Sequence, residues 1–124
     1  MANPNIVNVT EIKGKVATLS LTTTNATSLL SNAASSGKIF KVNSCYITNV
    51  DGTIAVDVTA SYYSEDNIGG TATELASTIS VPADSTLILI DKNTSIYLEE
   101  DKSIGITAGS ANKLKAVISY EEIS

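Results

Sequence analysis

The side chains able to do chemistry are few, and their spacing specifies no reaction. Asp91-Lys92-Asn93-Thr94-Ser95 opens like a calcium loop, with oxygen donors at alternate positions. An EF-hand loop also needs Gly at its sixth position and a bidentate Glu at its twelfth. Here those positions hold Ile96 and Lys102, which excludes it. Glu99-Glu100-Asp101 offers three carboxylates to a hard cation, but adjacent residues do not point at one centre unaided, and the triplet reads as a solvated turn. Asp57 shares strand parity with Thr59 and Ser61, which makes it a solvent-facing or interface carboxylate rather than a general acid. Sixteen serines supply hydroxyls, yet there is no His, no G-x-S-x-G elbow and no S-x-x-K to activate one. Gly69-Gly70 lacks the flanking pattern of a phosphate cradle. Tyr62-Tyr63 straddles both faces of a strand, and Glu65-Asp66 follow where a base-stacking platform would need cations. The single Cys45 cannot form an intrachain disulfide and reads as a small buried hydrophobe. No catalytic, cofactor-binding or metal-ligating residue is predicted, and no cofactor.

Composition narrows the classes further. The 124 residues are enough for one domain with a real core. All eight basic residues are Lys against thirteen acidic ones, a net charge of −5. Without Arg the chain lacks the guanidinium fork that grips phosphates and guanine edges, so no nucleic-acid partner is expected. Without His it lacks the side chain that titrates near neutrality. The longest strongly apolar run, Leu87-Ile88-Leu89-Ile90, is far short of the ~20 residues of a membrane helix, and no membrane partner is expected. Met1-Ala2-Asn3-Pro4-Asn5 has neither the basic nor the apolar region of a signal peptide.

The elements that must position these side chains read as strands. Sixteen Ser, fifteen Thr and recurrent Val and Ile favour a pleated surface, and only five Tyr and one Phe are aromatic. Val16 to Leu21 alternates with period two, while Ala26 to Asn32 fits either a short strand or one helical turn. Lys38 to Val50 is a long strand of mixed apolar parity, as in a strand covered on both faces or carrying a bulge. Asp51-Gly52 carries the signature of a type I′ hairpin turn, predicting that Ile54–Tyr63 pairs back onto Lys38–Val50 and that Gly52→Val costs about 1 kcal/mol or more. Ser64 to Thr71 reads as an exposed loop tip, and Leu75, Ser77, Ile79 and Val81 as one alternating face stopped by Pro82. Thr86–Ile90, Ile96–Leu98, Ile104–Ala108 and Leu114–Tyr120 complete the set, before an acidic tail at Glu121-Glu122. About eight strands with turns every 8–12 residues predict an all-β chain, a single antiparallel β-sandwich of jelly-roll type. Residues 12–124 are assigned to the sandwich, and residues 1–11 to an N-terminal arm or edge strand able to dock on a neighbour.

Several of these stretches resemble a known group. Gly37 to Ser44 followed by Ile47 to Thr53, Thr78 to Lys92, Ile96 to Ile104 and Ala116 to Ile123 look like small β-sandwich virion structural proteins of tailed bacteriophages, of the marine T4-like cyanophage type. Asp101-Lys102 departs from the Gly-Asp expected there. The resemblance implies a non-enzymatic virion protein present in many copies, as capsid decoration or cement or as a neck or tail component. It implies homo-oligomers, partners among capsid, neck or tail proteins, and a place in the virion after synthesis in a host bacterial cytoplasm. The alternative is a carbohydrate-binding or host-adhesion sandwich, whose aromatic platform would come from Tyr62, Tyr63, Tyr97 or Tyr120.

Overall fold

The computed structural model describes residue 4 and residues 6–124. Its described residues form nine strands and no helix: β1 (Ile12–Ser20), β2 (Thr27–Asn32), β3 (Ile39–Asn49), β4 (Val56–Glu65), β5 (Gly69–Val81), β6 (Thr86–Ile90), β7 (Ile96–Leu98), β8 (Lys102–Ala108) and β9 (Leu114–Ile123). The first sheet runs β1-β9-β3-β6, with β7 beside the start of β3, and the second runs β2-β8-β4-β5. All ladders are antiparallel. Successive strands cross between sheets except at the β4–β5 hairpin and the β6–β7 connection, which is the strand order of a jelly roll. The ambiguous Ala26–Asn32 segment is a strand because Leu29 and Leu30 are both needed against the core, at a register shift between Ser28 and Leu30.

The core lies between the sheets and is aliphatic, with Val42, Cys45, Ile47 and Ile118 facing Val58, Ile104 and Ile106 among others. Phe40 and Tyr120 close one end, their rings 5.0 Å apart and tilted by 44°. Burial raises the Cys45 thiol to about 12, as expected of an unreactive packing residue. The mixed parity of β3 comes from a bulge between Val42 and Ser44 in its ladder with β9. Phe40 and Val42 face inward before it, Cys45 and Ile47 after it.

The expected Asp51-Gly52 hairpin is not formed. β3 and β4 lie in different sheets, and β4 pairs with β5 and β8. Gly52 is not at positive φ. Instead the Asp51 carboxylate accepts the Thr53 N–H (2.7 Å), the Thr53 hydroxyl (2.8 Å) and the Ile54 N–H (3.1 Å), and its other oxygen meets Lys113. Those local bonds turn the chain out of one sheet and into the other. They also hold the Asp51 carboxyl well below the usual range, with the Lys113 bond the largest cause. The geometry of a type I′ turn lies elsewhere, between β4 and β5. There Asn67 (φ 51°) and Ile68 (φ 53°) occupy the central positions, and the Gly69 N–H donates to the Asp66 carbonyl at 3.0 Å. Ile68 is an unfavourable residue for that conformation. Its N–H donates to Ser103 Oγ at 2.8 Å, and its side chain covers Gly105, where an added Cβ would be 2.6 Å from Ile68 Cγ2. The tip is exposed at Ser64, Glu65, Asn67, Gly70 and Thr71, as expected, while Ile68 folds back over the second sheet. Accordingly, Gly52→Ala is expected to leave melting unchanged or raise stability by up to about 1 kcal/mol. Gly70→Ala, at φ +72° with Ser64 Oγ 2.2 Å from the added Cβ, should lose about 1–2 kcal/mol. Thermal melts of the two variants side by side check this.

Two other local expectations are corrected. Leu75, Ser77, Ile79 and Val81 do not form one face, because register shifts against β4 reset the parity: Ala76 and Val81 turn to the core, while Leu75 and Ile79 are exposed. Glu121 and Glu122 are not a tail but part of β9, between β1 and β3. Glu122 is only 7% exposed and binds Lys15 at 3.1 Å and Lys38 at 3.4 Å. Burial pushes its carboxyl up, but the two lysines outweigh that and hold it below the usual glutamate value. Below the ordinary pKa of about 4.3 the unfolded chain binds a proton that the native chain does not, so stability falls as pH drops from there through the lower native value. The loss is modest because both lysines are 41% exposed. Melting temperature is expected to fall between pH 5 and pH 3, more shallowly in Glu122→Gln.

Of the expected arm 1–11, residues 1–3 and 5 lie outside the described residues. The N–H groups of Thr10 and Glu11 donate to the Ser124 carbonyl at 2.7 and 2.9 Å, which ties the approach to β1 alongside the end of β9.

Candidate functional site

The carboxylates singled out in the sequence do not converge. Asp57 is exposed on β4, and its carbonyl accepts the Gly109 N–H at 2.8 Å. Glu99, Glu100 and Asp101 form the turn between β7 and β8. Glu100 is buried there, and Asp101, at φ 59°, accepts the Asp66 N–H at 3.2 Å. Asp91 uses one oxygen to cap its own turn, accepting the Asn93 and Thr94 N–H groups at 2.9 and 3.1 Å. Among the described residues no three His, Cys, Asp or Glu side chains are placed to hold a metal ion. Tyr62 packs against the core, where burial, assisted by the charge of Glu99, raises its phenol, and Tyr120 packs at a tilt against Phe40. Gly69 and Gly70 open β5 beside the hairpin turn.

What the fold does build is a surface on the first sheet, starting at its edge. Glu11 and Ser124 exchange two backbone hydrogen bonds, and the Leu21 N–H donates to the Leu114 carbonyl. In an unshifted antiparallel ladder such pairs alternate, so odd-numbered residues of β1 bond to β9. The N–H and C=O groups of Ile12, Gly14, Val16, Thr18 and Ser20 therefore point away from the sheet. Other edges are blunted: β6 has five residues, β7 three, and β2 and β5 carry register shifts. Lys13 and Lys15 guard the first half of β1, whereas Val16-Ala17-Thr18-Leu19-Ser20 carries no charge.

The outward face next to this edge carries an apolar row. Thr18, Val117, Tyr46 and Ile88 are register neighbours across β1, β9, β3 and β6, and the last three are 37%, 38% and 58% exposed. Tyr46 was not among the tyrosines expected at the surface. The signal was present in the two opposed apolar parities of β3, since a bulge between Val42 and Cys45 turns Tyr46 outward.

Beside Tyr46 the face is concave. The ladder of β3 with β7 ends at Val42, and its ladder with β6 begins at Cys45, which leaves Asn43 and Ser44 unpaired on that side. The gap floors an open cleft of about 450 Å³, walled by Lys41, Tyr46, Asp91, Lys92 and Glu121.

No protein-family model matches the chain, and no curated protein does. Among solved structures it is similar to a Bacillus endospore appendage protein, from a study describing a family of disulfide-linked pili. That match has 18% identity over 91% of this chain and 88% of the other, with a TM-score of 0.53. It is also similar to a protein of the acidic stable capsid of Helicobacter pylori bacteriophage KHP30, with 10% identity over 94% and 90% of the two chains and a TM-score of 0.50. At such identities the likeness is one of fold.

Proposed function

We propose that this chain is a non-enzymatic structural protein of a phage virion, assembled in many copies as capsid decoration or as part of a neck or tail. The observation that carries the proposal is the β1 edge, whose last five residues are long, regular, uncharged and open to a further strand. A fold shared with a phage capsid protein and with a pilus protein supports it, as does the sequence resemblance to phage β-sandwich proteins. Its partners are other copies of itself and capsid, neck or tail proteins, with the part of residues 1–11 ahead of Thr10 serving as an arm toward the neighbour. Cys45 is fully buried and is the only cysteine in the sequence, so the disulfide linkage named for the appendage pili is not available here. Sedimentation velocity of the purified chain over a concentration series tests this. Species larger than the 12.9 kDa monomer are expected, and their association should vary little with salt because β1 contacts are backbone and apolar. A strict monomer that also fails to bind capsids, necks or tails would count against it.

A further inference from the structure

The cleft beside Tyr46 is where the surface keeps unused polar groups together. Most lysines have partners: Lys13 with Glu11, Lys15 and Lys38 with Glu122, Lys102 with the Ser64 carbonyl, and Lys113 with Asp51. Among the described residues the ammonium groups of Lys41, Lys92 and Lys115 have none, and two of those three line this one cleft. Glu121 is likewise without a side-chain partner among the described residues, and the second oxygen of Asp91 is uncommitted. Asn43 adds an amide and Ser44 a hydroxyl, and the edge of the strand between them bonds to neither β6 nor β7.

The mixture selects a ligand class. Two ammonium groups repel a metal cation, and two carboxylates repel phosphate or sulfate, while the four together leave no net charge. Donors and acceptors line the cleft together where β3 pairs with neither β6 nor β7, and the one large apolar surface is the exposed Tyr46 ring. A neutral polyhydroxyl molecule uses all of these at once, its hydroxyls donating to Glu121 and Asp91 and accepting from Lys41, Lys92 and Asn43, with one apolar face on the ring. The volume is within the ~300–1,000 Å³ usual for ligand clefts. We propose that the cleft formed where β3 changes partner from β7 to β6 binds a neutral saccharide, with Tyr46 as platform and Lys41, Asn43, Lys92 and Glu121 as hydrogen-bonding groups. This goes beyond the assembly role and does not depend on it.

Saturation-transfer NMR on the full chain tests it, using glucose, galactose, mannose, N-acetylglucosamine, lactose and maltose, with inorganic phosphate and Ca²⁺ as separate arms followed by amide shifts. Tyr46 and Glu121 face outward, so Tyr46→Ala and Glu121→Gln should melt close to the parent. Saturation transfer is expected from at least one sugar, weakened tenfold or more in both variants and retained in Val16→Ala on the same face. No transfer from any of the six sugars would overturn the proposal. So would transfer unaffected by Tyr46→Ala, or cleft amides that respond to phosphate or Ca²⁺ rather than to sugar.

Discussion

Asn49→Ala is expected to lower the melting temperature by about 10–20 °C, the largest single-residue effect predicted outside the apolar core. Asn49 is fully buried at the end of β3, in the first sheet. Its Nδ2 donates to the Ile54 carbonyl at 2.8 Å and to the Val81 carbonyl, at the end of β5 in the second sheet, at 3.0 Å. Its Oδ1 accepts the Asp51 N–H at 2.9 Å. Alanine would strand three backbone groups in the corner where the chain passes between sheets, at about 1–3 kcal/mol each before water enters. Partial rehydration leaves about 3–5 kcal/mol, a large part of the ~5–15 kcal/mol that holds a domain folded. Asn49→Asp should be no better, since a carboxylate donates to neither carbonyl and buries a charge. Asn32 has the same role at the opposite corner, donating to the Lys38 and Leu98 carbonyls at 2.9 and 3.1 Å and accepting the Ser36 hydroxyl at 2.6 Å. Calorimetric melts decide the point, and an Asn49→Ala variant melting within two or three degrees of the parent would show that the clamp carries no net energy.

The second large effect concerns assembly and separates two neighbouring positions on β1. Thr18→Pro removes an N–H that points away from the sheet, and proline is tolerated on an edge strand when its missing donor faces solvent. Ala17→Pro removes an N–H that bonds to β9 and places the ring on the side of the core. Thr18→Pro is therefore expected to melt within a few degrees of the parent and to associate at least tenfold more weakly. Ala17→Pro should lose stability outright, by about 1–3 kcal/mol for the stranded partner alone. Sedimentation and melting of both variants check this. Unchanged association in Thr18→Pro would move the interface off this edge.

Much of the fold was legible because its strands carry short-range signals. The stretch Lys38–Val50 matches β3 within one residue at each end, and Leu114, Ala116 and Ile118 face the core as their alternation requires. Failures came where a distant partner decides the outcome. Asp51-Gly52 has local hairpin chemistry, but Asn49 ties this corner to Val81 of the second sheet and Lys113, just before β9, holds Asp51 at the first, while the tight hairpin turn forms at Asn67-Ile68, where packing over Gly105 offsets a poor intrinsic preference. The faces of β5 do not follow from apolar spacing because its bulges are set by register against β4 and leave no mark on that spacing. Glu122 looked like tail chemistry because its lysine partners are 107 and 84 residues away. The cleft was not legible either: it depends on where β3 exchanges β7 for β6, a property of three strands together.

The most direct measurement of the proposed role is quantitative peptide mass spectrometry of purified phage particles made from the genome that encodes this chain. Tens of copies per particle are expected, at a fixed ratio to the major capsid protein and retained through high-salt washing. Presence in the infected-cell lysate together with absence from washed particles would contradict a structural place in the virion.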